Sequence, residues 1–207
     1  MKRNLLLGLV LIASGIFSKA YADSPLTSTD ISSAYHQSIW VNEARYANGW
    51  LTESLMEFIA SDEYRLDARI ATINELGWDI DGKHNFILML TYLIENGMFF
   101  DEEDVFLNAS GELLTCLAYM LALDDYFDVE LALDIAALAL NKLPDSFTSN
   151  IVFALIAAQQ AVIDDDFCLA YALADIVRKD DSLTFDMELD AYYSIYQYMD
   201  LYYEYCE

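Results

Sequence analysis

From Glu112 to its C-terminus the chain runs 96 residues without a glycine and with one proline, Pro144. Tight strand connections draw on glycine and proline, so a stretch this long without them resists division into short strands and hairpin turns. It is rich in alanine and leucine, broken by short acidic groups such as Asp124-Asp125, Asp164-Asp165-Asp166 and Asp180-Asp181. No strand-like alternation bounded by turn residues occurs elsewhere. The expected fold class is all-α: antiparallel helical hairpins stacked as a short α-solenoid or an irregular bundle.

The first half carries its own punctuation. Thr29 or Asp30 is positioned to cap a first helix, along which His36, Trp40, Ala44 and Ala47 recur at helical spacing up to Gly49. Leu51, Leu55, Phe58 and Ile59 carry an apolar face to Ala60. Ser61, followed by Asp62 and Glu63, reads as the next start, with Leu66, Ile70, Ile73 and Leu76 lining one side and Gly77 at the C-cap. A broadly apolar helix is expected over about residues 83–96, stopped by Gly97. A short one begins in Asp101-Glu102-Glu103-Asp104 and ends near Ser110-Gly111.

The N-terminus has the grammar of export. Lys2 and Arg3 precede an apolar run from Leu5 to Phe17, and Ala20 and Ala22 supply a small-x-small cleavage site. The run is shorter than the roughly 20 residues of a membrane span. The expected organisation is a signal peptide over 1–22, a polar lead-in over 23–30, and a single helical domain over 31–207 with hairpin repeats in 112–207. The expected location is periplasmic or secreted by a bacterial-type general secretory route, with no membrane insertion after cleavage.

Cleavage would remove Lys2, Arg3 and Lys19 but none of the 35 acidic residues, taking the net charge from −25 to −28. Such a charge repels phosphates and anionic lipid, so nucleic acid is not an expected partner. It favours a basic protein, and divalent cations held diffusely. Hydrophobic residues make up 56% of the chain, which separates it from charged disordered sequences.

The second half repeats. A shift of 38 residues lays Ile151–Ala161 on Leu113–Leu123 and places Phe167–Val177 within the second helix, Val129–Leu143, with Asp164–Asp166 falling on the acidic turn after Leu123. A further shift brings Leu189–Met199 onto the first-helix position. Ala132, Ala139 and Pro144 match the small, small and proline positions in the second helix of a tetratricopeptide repeat, which this pair resembles. The next unit keeps Ala170 but has Val177 and Ser182 at the other two places, and both units lack the aromatic and glycine signature of the first helix. The resemblance implies a peptide-binding or protein-binding scaffold and carries over no particular binding residue.

No sequence pattern marks a catalytic, cofactor or metal site. His36 and His84 have no metal-type partner at helical spacing. Around Asp79-Ile80-Asp81-Gly82 the first and last positions of a calcium loop would fall on Gly77 and Leu88, which cannot serve. Candidate partner-binding residues come from two places. Seven tyrosines crowd the last sixteen residues, and on a helix Tyr192, Ile195, Tyr196, Met199, Tyr202, Tyr203 and Cys206 would face inward. Tyr193, Tyr198 and Tyr205 are left for contact. Asp164, Asp165 and Asp166 form the other candidate. Of three cysteines, Cys168 and Cys206 share one end of a hairpin stack while Cys116 falls at the other, so a Cys168–Cys206 disulfide is expected. The expected function is that of an exported acidic interaction protein binding a basic protein, of inhibitor, immunity or adaptor type. The alternatives are a small cell-wall glycoside hydrolase using paired carboxylates, and a passive structural or cation-binding protein.

Overall fold

Short oxygen-bearing side chains start six of the helices. Ser38, Thr52, Asp101, Ser110, Ser146 and Asp166 each accept the backbone N–H three residues on, satisfying a donor the helix itself cannot. In the computed structural model, which describes residues 24–78 and 82–206, the elements are α1 (Ile39–Tyr46), α2 (Glu53–Ala60), α3 (Leu66–Leu76), α4 (Asn85–Glu95), α5 (Glu102–Asn108), α6 (Gly111–Asp124), α7 (Glu130–Lys142), α8 (Phe147–Ile163), α9 (Phe167–Arg178) and α10 (Leu189–Met199). Segments of 3-10 helix cover Ser32–Tyr35 and Asp200–Cys206. The described residues form no strand, only an isolated bridge between Ser146 and Thr184. The chain is all-α. The expected signal segment over 1–22 and the Asp79–Asp81 loop lie outside the described residues.

α6 and α8 are the axis of the fold. Their sequences are apolar almost all round, the pattern of a helix buried on every side. Leu113 through Met120 are all buried in α6, and α8 buries Ile151, Val152, Leu155, Ile156 and Ala158. α6 packs on α7 and α8 on α9, while α7 and α6 both pack on α8, so two hairpins lie side by side. The two axial helices touch where Thr115 Oγ1 and Ser149 Oγ share a hydrogen bond of 2.9 Å. α3 and α4 cover the other side of α6, and α10 lies on α9. One apolar core runs from Leu26 to Tyr202.

The segment before α1 meets the residue that precedes α10. The Tyr35 hydroxyl donates to buried Asp67 at 2.6 Å and accepts the backbone N–H of Glu188 at 3.1 Å. Arg65 bonds both Asp67 and Glu188. Burial, then the hydrogen bond to Asp67, pushes the Tyr35 phenol far above its ordinary value.

Three expectations are corrected. The first helix is split, because Ser38 turns its hydroxyl to the Val41 N–H and restarts the chain there, while Asp30 accepts from Ser33 in the turn before it. The stripe shifts with it: Val41 and Ala44 are buried and His36 is exposed. Ser61 does not cap α3. Its hydroxyl closes a local turn by accepting from the Glu63 N–H, and Asp62 reaches Ser110 and Arg69, so the helix begins at Leu66. α5 ends at Asn108, close to the expected Ser110-Gly111, and Gly111 opens α6, where a Cβ would stand 2.6 Å from Leu143 Cγ. Finally, the chain tightens from α to 3-10 at Asp200, changing its period, so Tyr202 stays buried but Tyr203 turns out to 56% exposure.

Candidate functional site

Every basic side chain among the described residues is engaged within the fold. Arg45 pairs with Glu75, Arg65 with Asp67 and Glu188, Arg69 with Asp62 and Glu112, Arg178 with Asp175 and Asp200, and Lys179 with Asp175. Lys83 donates to the carbonyls of Leu76 and Trp78, and Lys142 to those of Leu107 and Ala109. The acidic excess is therefore offered to solvent, while each cation, exposed or buried, already has a partner in the same chain.

The acids are distributed over both ends of the hairpin stack. Gln159 near the end of α8 donates to the Tyr126 carbonyl, which puts the α6–α7 turn (Asp124, Asp125, Asp128) beside the α8–α9 turn (Asp164, Asp165, Asp166). The C-terminus joins them: Cys168 and Cys206 are bridged, with Cα atoms 4.8 Å apart, within the usual span for a disulfide. Cys116 is buried and unbridged, and burial pushes its thiol up to about 12. Asp166 caps α9, Asp164 accepts from Gln160, and all three aspartates of that turn are exposed. They form a solvated turn.

A different arrangement occupies the opposite end of α9. The connection from α9 to α10 folds over the start of α8, where Asp186 accepts from Ser146 Oγ and the Thr148 N–H at 2.6 and 2.7 Å. This leaves an open groove of about 490 Å³ lined by Phe147, Val177, Leu183, Phe185, Leu189, Tyr192 and Tyr193, with Arg178, Asp180 and Asp181 also on its wall. That volume is in the range of small-ligand sites. Its rings are mutually packed: Phe147 and Phe185 have centroids 5.1 Å apart, and Phe185 and Tyr192 meet edge to face at 5.8 Å.

The three candidate tyrosines do not share a surface. Tyr193 stands in this groove. Tyr198 shares a hydrogen bond with Tyr202 and faces a shallow hollow beside Ser28, Asp30 and Leu201. Tyr205 packs on Phe167 next to the disulfide, at the end occupied by Asp164–Asp166. Of this groove, only the α10 side was available in sequence: Leu189 and Tyr193 are four apart, on a face of α10 away from Ile195 and Met199.

A second groove, of about 420 Å³, lies where Phe86, Ile87, Leu121 and Leu131 meet His84, Glu102, Asp124 and Asp125. Asp124 accepts the Phe86 N–H at 2.7 Å, and burial raises its pKa in spite of that bond. Burial likewise raises Glu112, against the pull of Arg69. These two carboxyls sit at opposite ends of α6, about 18 Å apart along the axis. A glycosidase pair needs about 5–9.5 Å. Buried Asp175 is unsuited to proton transfer for the opposite reason: burial alone would raise it, but Lys179 and Arg178 hold it below the usual carboxylate range. Among the described residues no group of three or more His, Cys, Asp or Glu side chains is arranged to hold a metal ion, and no helix is long and apolar enough to cross a membrane.

These shifts fix the sign of the pH dependence. Glu112 and Asp124 bind a proton more tightly folded than unfolded, so stability rises as pH falls from neutral toward their ordinary values of 4.5 and 3.8. Asp175 acts in the other direction, and its contribution, full above 3.8, is lost as pH falls through its depressed value. The melting temperature should rise as pH falls from 7 toward about 4.5 and fall again once pH drops below about 3.8. Thermal melts across that range check this, and a steady fall from pH 7 downward would contradict it.

No family model, curated protein or solved structure matches the chain.

Proposed function

We propose that this protein is an exported, non-enzymatic interaction protein that captures a basic protein. One observation carries the reading: the seven cations of the described residues are each already paired within the chain, so most of its exposed carboxylates have no basic partner there. Attraction of this kind speeds encounter by about 10–10³ and weakens steeply with salt. Affinity after encounter usually rests on a few aromatic or arginine anchors. The hairpin stack suits a scaffold of the tetratricopeptide type, and buried Ala132, Ala139 and Ala170 fit the small positions of that resemblance. Export after cleavage at Ala22 belongs to the same proposal, as does diffuse binding of divalent cations by the exposed acids.

The test is capture on the immobilised protein from an exported fraction, washed in rising salt. A basic protein retained at about 0.05 M salt and released near 0.5 M is the expected result. Recovery of no basic protein, or cleavage of peptidoglycan by the purified protein alone, would overturn it.

A further inference from the structure

Arg178 shows how this fold holds a guanidinium. Its Cζ lies 4.7 Å from the centroid of the Tyr196 ring and 5.8 Å from that of Tyr171. Nε and Nη2 donate to Asp175 at 2.9 and 2.6 Å, and Nη1 to Asp200 at 2.8 and 3.1 Å. The site is an aromatic face flanked by two carboxylates, the environment suited to a flat, forked, weakly hydrated cation.

The groove beside it has the same ingredients with no cation of the described chain seated there except Arg178, whose charge is already met by Asp175 and Asp200. Phe185 and Tyr193 are 50% and 58% exposed, and Leu189 extends the apolar floor at 52%. Asp180 and Asp181 follow Arg178 along the wall. Asp180 is held ionised below its usual range by hydrogen bonds from the Ser182 hydroxyl and backbone N–H. An entering cation would meet ring surface beneath and carboxylates alongside. A neutral or anionic ligand would leave those carboxylates without a counter-charge. The geometry points to this groove as the anchor pocket for an arginine side chain of the basic partner. Tyr193 and Phe185 supply the stacking faces, and Asp180 and Asp181 receive the guanidinium. This rests on the proposed capture of a basic protein and names where its anchor residue enters.

Hexa-arginine peptide is the probe, titrated into the full chain at about 0.15 M salt, where the screening length is about 8 Å. Tyr193→Ser and the double variant Asp180→Asn/Asp181→Asn should each weaken binding about tenfold. The triple variant Asp164→Asn/Asp165→Asn/Asp166→Asn, about 18 Å away along α9, should stay within about twofold. Hexa-lysine should bind more weakly, because an ammonium neither stacks nor forks. Unchanged melting temperatures establish that the variants are folded, and the exposure of all six altered positions makes that the expected result. If the groove variants bind like the parent chain while the triple variant fails, the pocket assignment falls but capture of a basic partner stands. Equal affinity for hexa-lysine overturns the guanidinium assignment. A neutral oligosaccharide bound through Tyr193, with no response to hexa-arginine, overturns both the assignment and the reading beneath it.

Discussion

Replacing Arg69 with alanine should lower stability by about 3–5 kcal/mol, the usual effect of removing one partner from a buried ion pair. Arg69 is fully buried, on the inner face of α3. Its Nη1 donates to the Ile59 carbonyl at 3.2 Å and reaches Asp62, while its Nη2 bonds Glu112 in the first turn of α6. One side chain thereby ties the end of α2 to the start of α6. Alanine would strand the Ile59 carbonyl and leave Glu112 without its cation. For a chain of this size the loss corresponds to a fall in melting temperature on the order of 10 °C. The double variant Arg69→Met/Glu112→Leu tests the cause. An apolar pair of similar volume commonly matches a buried ion pair, so it should recover most of the loss, short of the part owed to the Ile59 carbonyl, which methionine also leaves without its donor. An Arg69→Ala protein that melts within about 2 °C of the parent would show that the link carries no weight.

Opening the Cys168–Cys206 bridge should have an effect of similar size. The cysteines are 38 residues apart, and closing such a loop contributes about 4 kcal/mol in the chain-entropy account. The bridge pins the Asp200–Cys206 segment to α9, with Tyr202 and Tyr205 both packed on Phe167. Cys168→Ser should lower the melting temperature by on the order of 10 °C. Non-reducing peptide mapping should return the 168–206 pair, while Cys116 resists thiol reagents until the chain unfolds. A bridge to Cys116, or rapid labelling of Cys116 in folded protein, would contradict this.

How far the sequence could be read depends on what each residue needed. α10 spans the Leu189–Met199 segment expected from the repeat, because helix limits there are set locally by acidic starts and apolar spacing. Gly77 and Gly97 end their helices with φ of 69°, a conformation glycine adopts without strain. The disulfide was legible for a different reason. It required only that two positions share one end of a hairpin stack, which a 38-residue register supplies. Ser61 misled because its hydroxyl is taken by the Glu63 N–H in a local turn, while Asp62 is drawn to Arg69 within α3 and to Ser110 at the start of α6. Arg69 itself falls at a spacing of 66, 69, 73 and 76 and so belongs to the buried stripe, but a charged side chain reads as surface until its partner at 112 is known. The groove beside Arg178 was illegible as a unit because Phe185 sits in an acidic connection, whose path depends on Asp186 bonding the start of α8. The tyrosines were counted correctly as unusual. Tyr193 and Tyr198 part because five residues turn an α-helix by about 140°, while Tyr205 lies beyond the change of helix type at Asp200, which local composition does not announce.

The central claim, that an uncompensated acidic surface directs this protein to a basic partner, is tested most directly by the association rate of the captured protein across salt. From about 0.01 M to 1 M salt the screening length falls from about 30 Å to 3 Å. If the acidic surface guides encounter, the association rate should fall by at least about tenfold over that range, while dissociation changes far less. An association rate independent of salt, or a captured partner that is itself acidic, would contradict the account.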